Sequence, residues 1–197
     1  MKLIAITTER FFSGETEGAT ALFEKGLERL HLRKPEASAA ETAEWLTAIP
    51  EAFHCRIVLH DHFELANRFN LGGIHLNRRN PSPVGQPKSI SSSCHTLAEI
   101  KEHSGADYYF LSPAFDSISK PGYRQGFELD EAAEAFAQRT VTANVYALGG
   151  ITPERLLLVK QAGFAGAAVL GALWETYPAN NNIEALIERL HSFKNKL

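Results

Sequence analysis

Eight short runs, most of them apolar and most ending in polar or glycine residues, occur at 2–7, 29–33, 56–61, 73–76, 89–93, 107–112, 144–148 and 166–170. Their length and bounding residues read as strands. Stretches with apolar residues at helical spacing lie at 15–25, 38–48, 63–69, 96–103, 129–138 and 153–162, with a last one at 183–193. Strands joined by crossovers of about a dozen residues pair in parallel, and helices cover such a sheet. Eight units of this kind close most economically into a (β/α)8 TIM barrel, an α/β fold expected here as one compact domain over 1–197. A doubly wound sheet would favour a glycine-rich turn after its first strand. Thr7, Thr8, Glu9 and Arg10 stand there instead. Thr152 before Pro153 reads as a helix N-cap, and Gly163 as that helix's stop. Only the crossover 77–88, with Pro81, Pro83 and Pro87, lacks a helical pattern.

Composition narrows the partners. The net charge is −3, the apolar fraction 44% and the charged fraction 22%, which disfavours disorder and a nucleic-acid or membrane surface. No run approaches the roughly 18 apolar residues of a spanning helix. The start of the chain reads as a short strand rather than a signal peptide. Two cysteines, Cys55 and Cys94, give no disulfide framework and no zinc spacing, so a cytoplasmic location is expected. A homodimer through helix faces fits this composition, although no motif specifies it.

In a barrel of this kind the functional groups gather at the carboxyl ends of the strands. Alternation on the second strand sends Leu30 and Leu32 towards the helices, and Arg29, His31 and Arg33 to the other face. Arg33 then points at the mouth, either as a forked donor for phosphate or as the partner of Asp61 or Glu9. Ser117, Ser119 and Lys120 put two hydroxyls beside an ammonium, a combination that suits a pyrophosphate or an ordinary surface turn. Gly149 and Gly150 lie between a strand end and a helix start, where bare amides make an anion site that Leu170 and Gly171 would complete. His60-Asp61-His62 has the look of a zinc pattern, with His75 and His95 as further ligands. Asp61 alone suits magnesium, which takes one or two carboxylates plus phosphate oxygens and water.

Six stretches in order resemble the thiamine phosphate synthase and TenI family. They are Leu30-His31-Leu32-Arg33-Lys34, Val58-Leu59-His60-Asp61, Gly73-Ile74-His75-Leu76, Ser93-Cys94-His95-Thr96, Gly105-Ala106-Asp107-Tyr108 with Ser117-Ile118-Ser119-Lys120, and Ala147-Leu148-Gly149-Gly150-Ile151. The resemblance covers nearly the whole chain and implies the same barrel. It also implies a magnesium-dependent transferase that joins hydroxymethylpyrimidine pyrophosphate to thiazole phosphate and releases pyrophosphate. By resemblance, Arg33 falls on a pyrophosphate-binding arginine and His31 on a substrate-contacting glutamine. His60 and Asp61 fall on an Asn-Asp pair whose carboxylate binds magnesium, and Ser93 on a serine for the pyrophosphate. Ser117, Ser119 and Lys120 fall on a Thr-x-Thr-Lys that grips the substrates, while Gly150, Leu170 and Gly171 fall on the thiazole phosphate cradle.

Two departures stand out. Pro35 replaces a family lysine, with Lys34 beside it as the stand-in, and Asn80 replaces the second magnesium carboxylate. Arg78 or Arg79 would then bind pyrophosphate directly. The same family includes thiazole tautomerases, whose catalytic histidine lies where this chain has Pro113. A tautomerase, a silent binder of thiazole or thiamine phosphate and, more remotely, a zinc-dependent hydrolase are the alternatives.

Overall fold

The computed structural model describes residues 1–102, 105–116 and 126–197. Its strands are β1 (Lys2–Ile6), β2 (Arg29–Leu32), β3 (Ile57–Leu59), β4 (Gly73–Leu76), β5 (Ile90–Cys94), β6 (Tyr108–Leu111), β7 (Asn144–Leu148) and β8 (Gly166–Val169). They form a closed barrel in chain order. All neighbours are parallel, and the seam closes as Lys2 pairs Gly166 and Ala5 pairs Val169. The expected eight strands and (β/α)8 barrel are therefore present.

Side-chain alternation sorts two cores. On β1, Leu3 and Ala5 face outward into the layer beneath the helices, whereas Ile4 and Ile6 face the barrel axis. On β6, Tyr109 and Leu111 face out while Tyr108 and Phe110 face in. Successive strand residues point to opposite faces, so each strand serves both cores at once. Leu30 and Leu32 join the outer layer, which leaves the buried His31 for the interior.

Helices α1 (Glu15–Glu24), α2 (Ala39–Ala48), α3 (Glu64–Arg68), α4 (Leu97–Glu102), α5 (Leu129–Ala137) and α6 (Leu156–Gln161) cover the barrel, and no helix lies between β4 and β5. That gap is the proline-rich crossover. Ser38 starts α2 with a reciprocal capping box, accepting from the Glu41 amide while the Glu41 carboxylate accepts from its own, which satisfies two otherwise orphaned donors. Thr152 does occupy an N-cap position ahead of Pro153, but of a 3-10 turn (Pro153–Arg155), and its hydroxyl caps no backbone amide. Pre-organisation by Pro153 therefore carries that start.

After β8 come two four-residue helices, α7 (Gly171–Trp174) and α8 (Tyr177–Asn180), and then α9 (Ile183–Lys194). Helix α9 falls on the helical stretch expected at 183–193, whereas the two four-residue helices are too short for periodicity to detect. They are fixed by hydrogen bonds instead: the Trp174 indole donates to the Ile6 carbonyl at 2.8 Å and the Tyr177 hydroxyl to the Gly14 carbonyl at 2.8 Å. A Cβ at position 18 would lie 2.6 Å from the Tyr177 ring, so Gly18 is what lets α1 and α8 approach. No helix among the described residues is long and apolar enough to cross a membrane.

Candidate active site

The polar residues of the mouth are delivered by the strand ends. Just past β2, the Arg33 amide donates to the Thr7 hydroxyl at 3.0 Å, and its guanidinium lies 2.9 Å from Glu9. Of the two partners considered from sequence, Glu9 takes Arg33, because Asp61 is occupied elsewhere. Both side chains are partly exposed, so the pair is open to competition from an anionic ligand.

Lys34 corrects the expectation of a substrate-facing cation. Its ammonium is buried beneath the loop after β1 and donates to the carbonyls of Thr8 at 2.9 Å and Arg10 at 2.8 Å and to the Glu15 carboxylate at 2.7 Å. All three of its donors are spent. Burial pushes the Lys34 pKa down and the Glu15 pKa up, each opposed by the attraction of its partner. Pro35 follows in a turn and supplies no replacement cation.

Inside the barrel, just below the mouth, three buried imidazoles meet. His60 Nε2 and His31 Nδ1 are 2.8 Å apart, and His31 Nε2 is 2.8 Å from the Tyr108 hydroxyl. His75 stacks on His60 with ring centroids 4.1 Å apart, its nitrogens 2.8 Å from Ser91 Oγ and 2.7 Å from Ser93 Oγ. Ser91 donates its one proton to the Ile74 carbonyl at 3.3 Å. Each ring nitrogen of His75 thus has a serine hydroxyl as its partner, and Ser93, expected to serve a pyrophosphate, is engaged by this ring.

Burial dominates the charge state of the cluster. It pushes His31 and His60 well below the usual imidazole range, and like charges deepen the effect: His75 and Arg29 for His31, and His75, His31, Arg33 and Arg79 for His60. His75 falls to about 3, from burial first and Arg33 second. The rings are neutral hydrogen-bonding groups. They also lie close enough to share an ion, with candidate ligand atoms within 4.8 Å, but the hydrogen bonds of the cluster already use both nitrogens of His31 and of His75. The zinc pattern proposed from sequence does not assemble. His62 turns away in a left-handed conformation to the Ala37 carbonyl at 2.7 Å, and His95 pairs with the Ser112 carbonyl at 2.9 Å.

Asp61 follows β3, and its carboxylate is already taken. Arg79 reaches it through Nε at 3.2 Å and through Nη2 at 3.1 and 3.2 Å, and the Asn80 side-chain amide donates at 2.9 Å. Asn77 fixes the loop by accepting the amides of Arg79 at 2.9 Å and Asn80 at 3.2 Å and donating to the His60 carbonyl at 2.8 Å. A divalent cation would have to displace a guanidinium from Asp61 and would find Asn80 presenting its donor end. The residues present do not fit the magnesium site implied by the resemblance. Sequence reasoning considered Arg79 as an anion ligand but missed its seat on Asp61, which follows from a loop geometry that spacing does not encode.

Across the ring lies the glycine turn. Gly149 and Gly150 have φ of +101° and +64°, and a Cβ at position 150 would stand 2.5 Å from the Asp116 carbonyl. Amides of Ala114 and Phe115 donate to the carbonyls of Leu148 and Gly149 at 2.8 and 3.2 Å, which presses the segment after β6 against this turn. Leu170 and Gly171 continue from β8 beside it, and no backbone carbonyl of the described residues accepts from the Gly150 or Gly171 amides. Strands β3 and β7 stand four places apart in a ring of eight, so the cationic side and the glycine side face each other across the mouth. Ser117, Ser119 and Lys120 lie outside the described residues. Hollows of about 370 and 380 Å³ open at the opposite, amino-terminal ends of the strands. The smaller sets Lys2 and Arg29 against Glu28 and Asp107, with no convergence of one sign of charge.

Fold and mouth together define a (β/α)8 barrel of the enzyme type, with its polar groups gathered at the carboxyl ends of the strands. A family profile described as thiamine monophosphate synthase matches residues 3–173. A thiamine-phosphate synthase of Bacteroides fragilis is 28% identical over 172 residues, covering 80% of this chain and 84% of that protein. One from Chlorobium phaeobacteroides is 25% identical over 198 residues, covering 95% of each. The crystal structure of a thiamine phosphate pyrophosphorylase from Bacteroides thetaiotaomicron superposes with a TM-score of 0.88 at 44% identity, covering 100% of this chain and 97% of that one. The chain belongs to the thiamine monophosphate synthase family.

Proposed function

We propose that this chain is a transferase of thiamine biosynthesis that joins hydroxymethylpyrimidine pyrophosphate to thiazole phosphate, forming thiamine phosphate and pyrophosphate. The observation that carries this reading is the opposed pair of anion-suited sites: guanidinium groups beside β2 to β4 and bare glycine amides beside β7 and β8. A reaction between two phosphorylated molecules needs both anchored with their reacting atoms between them. The pyrimidine methylene–oxygen bond breaks with its electron pair leaving on the pyrophosphate, and the thiazole nitrogen pair then forms the new C–N bond. Arg33, released from Glu9, would take up the charge that develops on the pyrophosphate. His60, held neutral, would meet the pyrimidine as a hydrogen-bonding group, with His31 positioning it. Gly149, Gly150, Leu170 and Gly171 would cradle the thiazole phosphate. Lys120, Ser117 and Ser119 keep the substrate-gripping role given by the resemblance, as does Ser93 once its hydroxyl is released from His75. The partners are these small molecules rather than nucleic acid or membrane, and the setting is the cytoplasm, with one domain spanning 1–197.

Arg33→Met tests this assignment. Loss of one charge-stabilising donor should lower kcat/KM about 100-fold, or roughly 2.7 kcal/mol. Unfolding stability should change by less than about 1 kcal/mol, because the Glu9 pair is partly exposed. Turnover within about threefold of wild type would remove Arg33 from the reaction.

A further inference from the structure

The seat of Arg79 on Asp61 has a chemical consequence for the leaving group. The guanidinium spends Nε and Nη2 on the carboxylate, and its Nη1 group makes no hydrogen bond among the described residues. The carboxylate therefore acts as a mount that fixes the plane of the fork and leaves two donors unspent. Asn77 holds the Arg79 backbone from below, and Asn80 blocks the remaining approach to Asp61 Oδ1. Arg33 stands just past β2 and Arg79 is held on Asp61 just past the neighbouring β3, so the two guanidinium groups flank the same side of the mouth. Arg78 is exposed beside them. A site built this way holds a guanidinium in the seat on Asp61 that a bound cation would otherwise take.

We infer that Arg79, mounted on Asp61, replaces a divalent cation as the ligand of the pyrophosphate group, so that this chain binds pyrophosphate without metal. The inference rests on the transferase reading, which places a pyrophosphate on this side of the mouth. The two N–H bonds left on Nη1 diverge, so each can donate to a different oxygen of a pyrophosphate while the Asp61 carboxylate holds the guanidinium plane fixed.

Calorimetric titration of the full-length protein with inorganic pyrophosphate, once with excess EDTA and once with excess magnesium, tests it. Binding in EDTA should equal binding in magnesium within about threefold. Arg79→Ala should weaken the EDTA value by about tenfold or more, with Arg79→Lys intermediate because charge survives but the planar group mounted on Asp61 does not. In Arg79→Ala, magnesium should restore part of the loss, since Asp61 is then free to coordinate. Binding by wild type only in magnesium would overturn the inference and leave the transferase reading standing. Equal affinity of wild type and Arg79→Ala in EDTA would remove Arg79 from the site. Binding in neither condition would overturn the transferase reading as well.

Discussion

Lys34→Met is expected to cost about 3–5 kcal/mol of unfolding free energy, the range for removing one partner of a buried ion pair. The substitution leaves the Glu15 carboxylate buried without its counter-ion and deprives the Thr8 and Arg10 carbonyls of their donor. It also releases the loop between β1 and α1. A loss of this size consumes much of the roughly 5–15 kcal/mol that holds a typical domain folded. The double variant Lys34→Met/Glu15→Leu should recover most of it, because an apolar pair of similar volume has no desolvation cost to offset. Urea unfolding followed by circular dichroism measures both. Unchanged stability in the single variant, together with collapsed turnover, would return Lys34 to the substrate-facing role expected of it from sequence.

Acid should destabilise this barrel steeply, well before its carboxylates titrate. The unfolded chain protonates each histidine near pH 6.5, whereas His31, His60 and His75 stay neutral in the folded interior to far lower pH. Below about pH 6.5 the unfolded state therefore binds more protons than the folded state, and stability falls as pH falls. Each ring withdraws about 1.4 kcal/mol per pH unit until its folded value is reached, which for the three is about 4 kcal/mol per unit. Glu15 works the other way, because its raised value favours the folded state as acid protonates it. It is one group against three. Urea midpoints at neutral and mildly acid pH should show this slope, and His60→Asn should reduce it by about a third. A midpoint independent of pH between 7 and 5 would mean the cluster is solvated or charged.

The barrel was legible because strand and helix periods differ and because inward and outward residues alternate on strands such as β2. Arg33 at the mouth and His31 in the interior follow from that alternation alone. Lys34 was not legible, since the residue after a strand end is free to turn either way and only the loop carrying Thr8 and Arg10 decides. The Asp61–Arg79 pair was hidden for the same reason: residues 18 apart meet through an Asn77-fixed turn that no periodicity announces. His60-Asp61-His62 misled because a strand register was extended past the end of β3, where a left-handed His62 breaks the alternation. The stacked histidines are residues of neighbouring strands at matching depth, a relation visible only once the register of β2, β3 and β4 is known.

The most direct measurement incubates the purified protein with hydroxymethylpyrimidine pyrophosphate and thiazole phosphate and quantifies both products by mass. Thiamine phosphate and pyrophosphate should appear in equal amounts over many turnovers. Neither compound rising above the protein-free control, at enzyme concentrations matching the substrates, would contradict the transferase account.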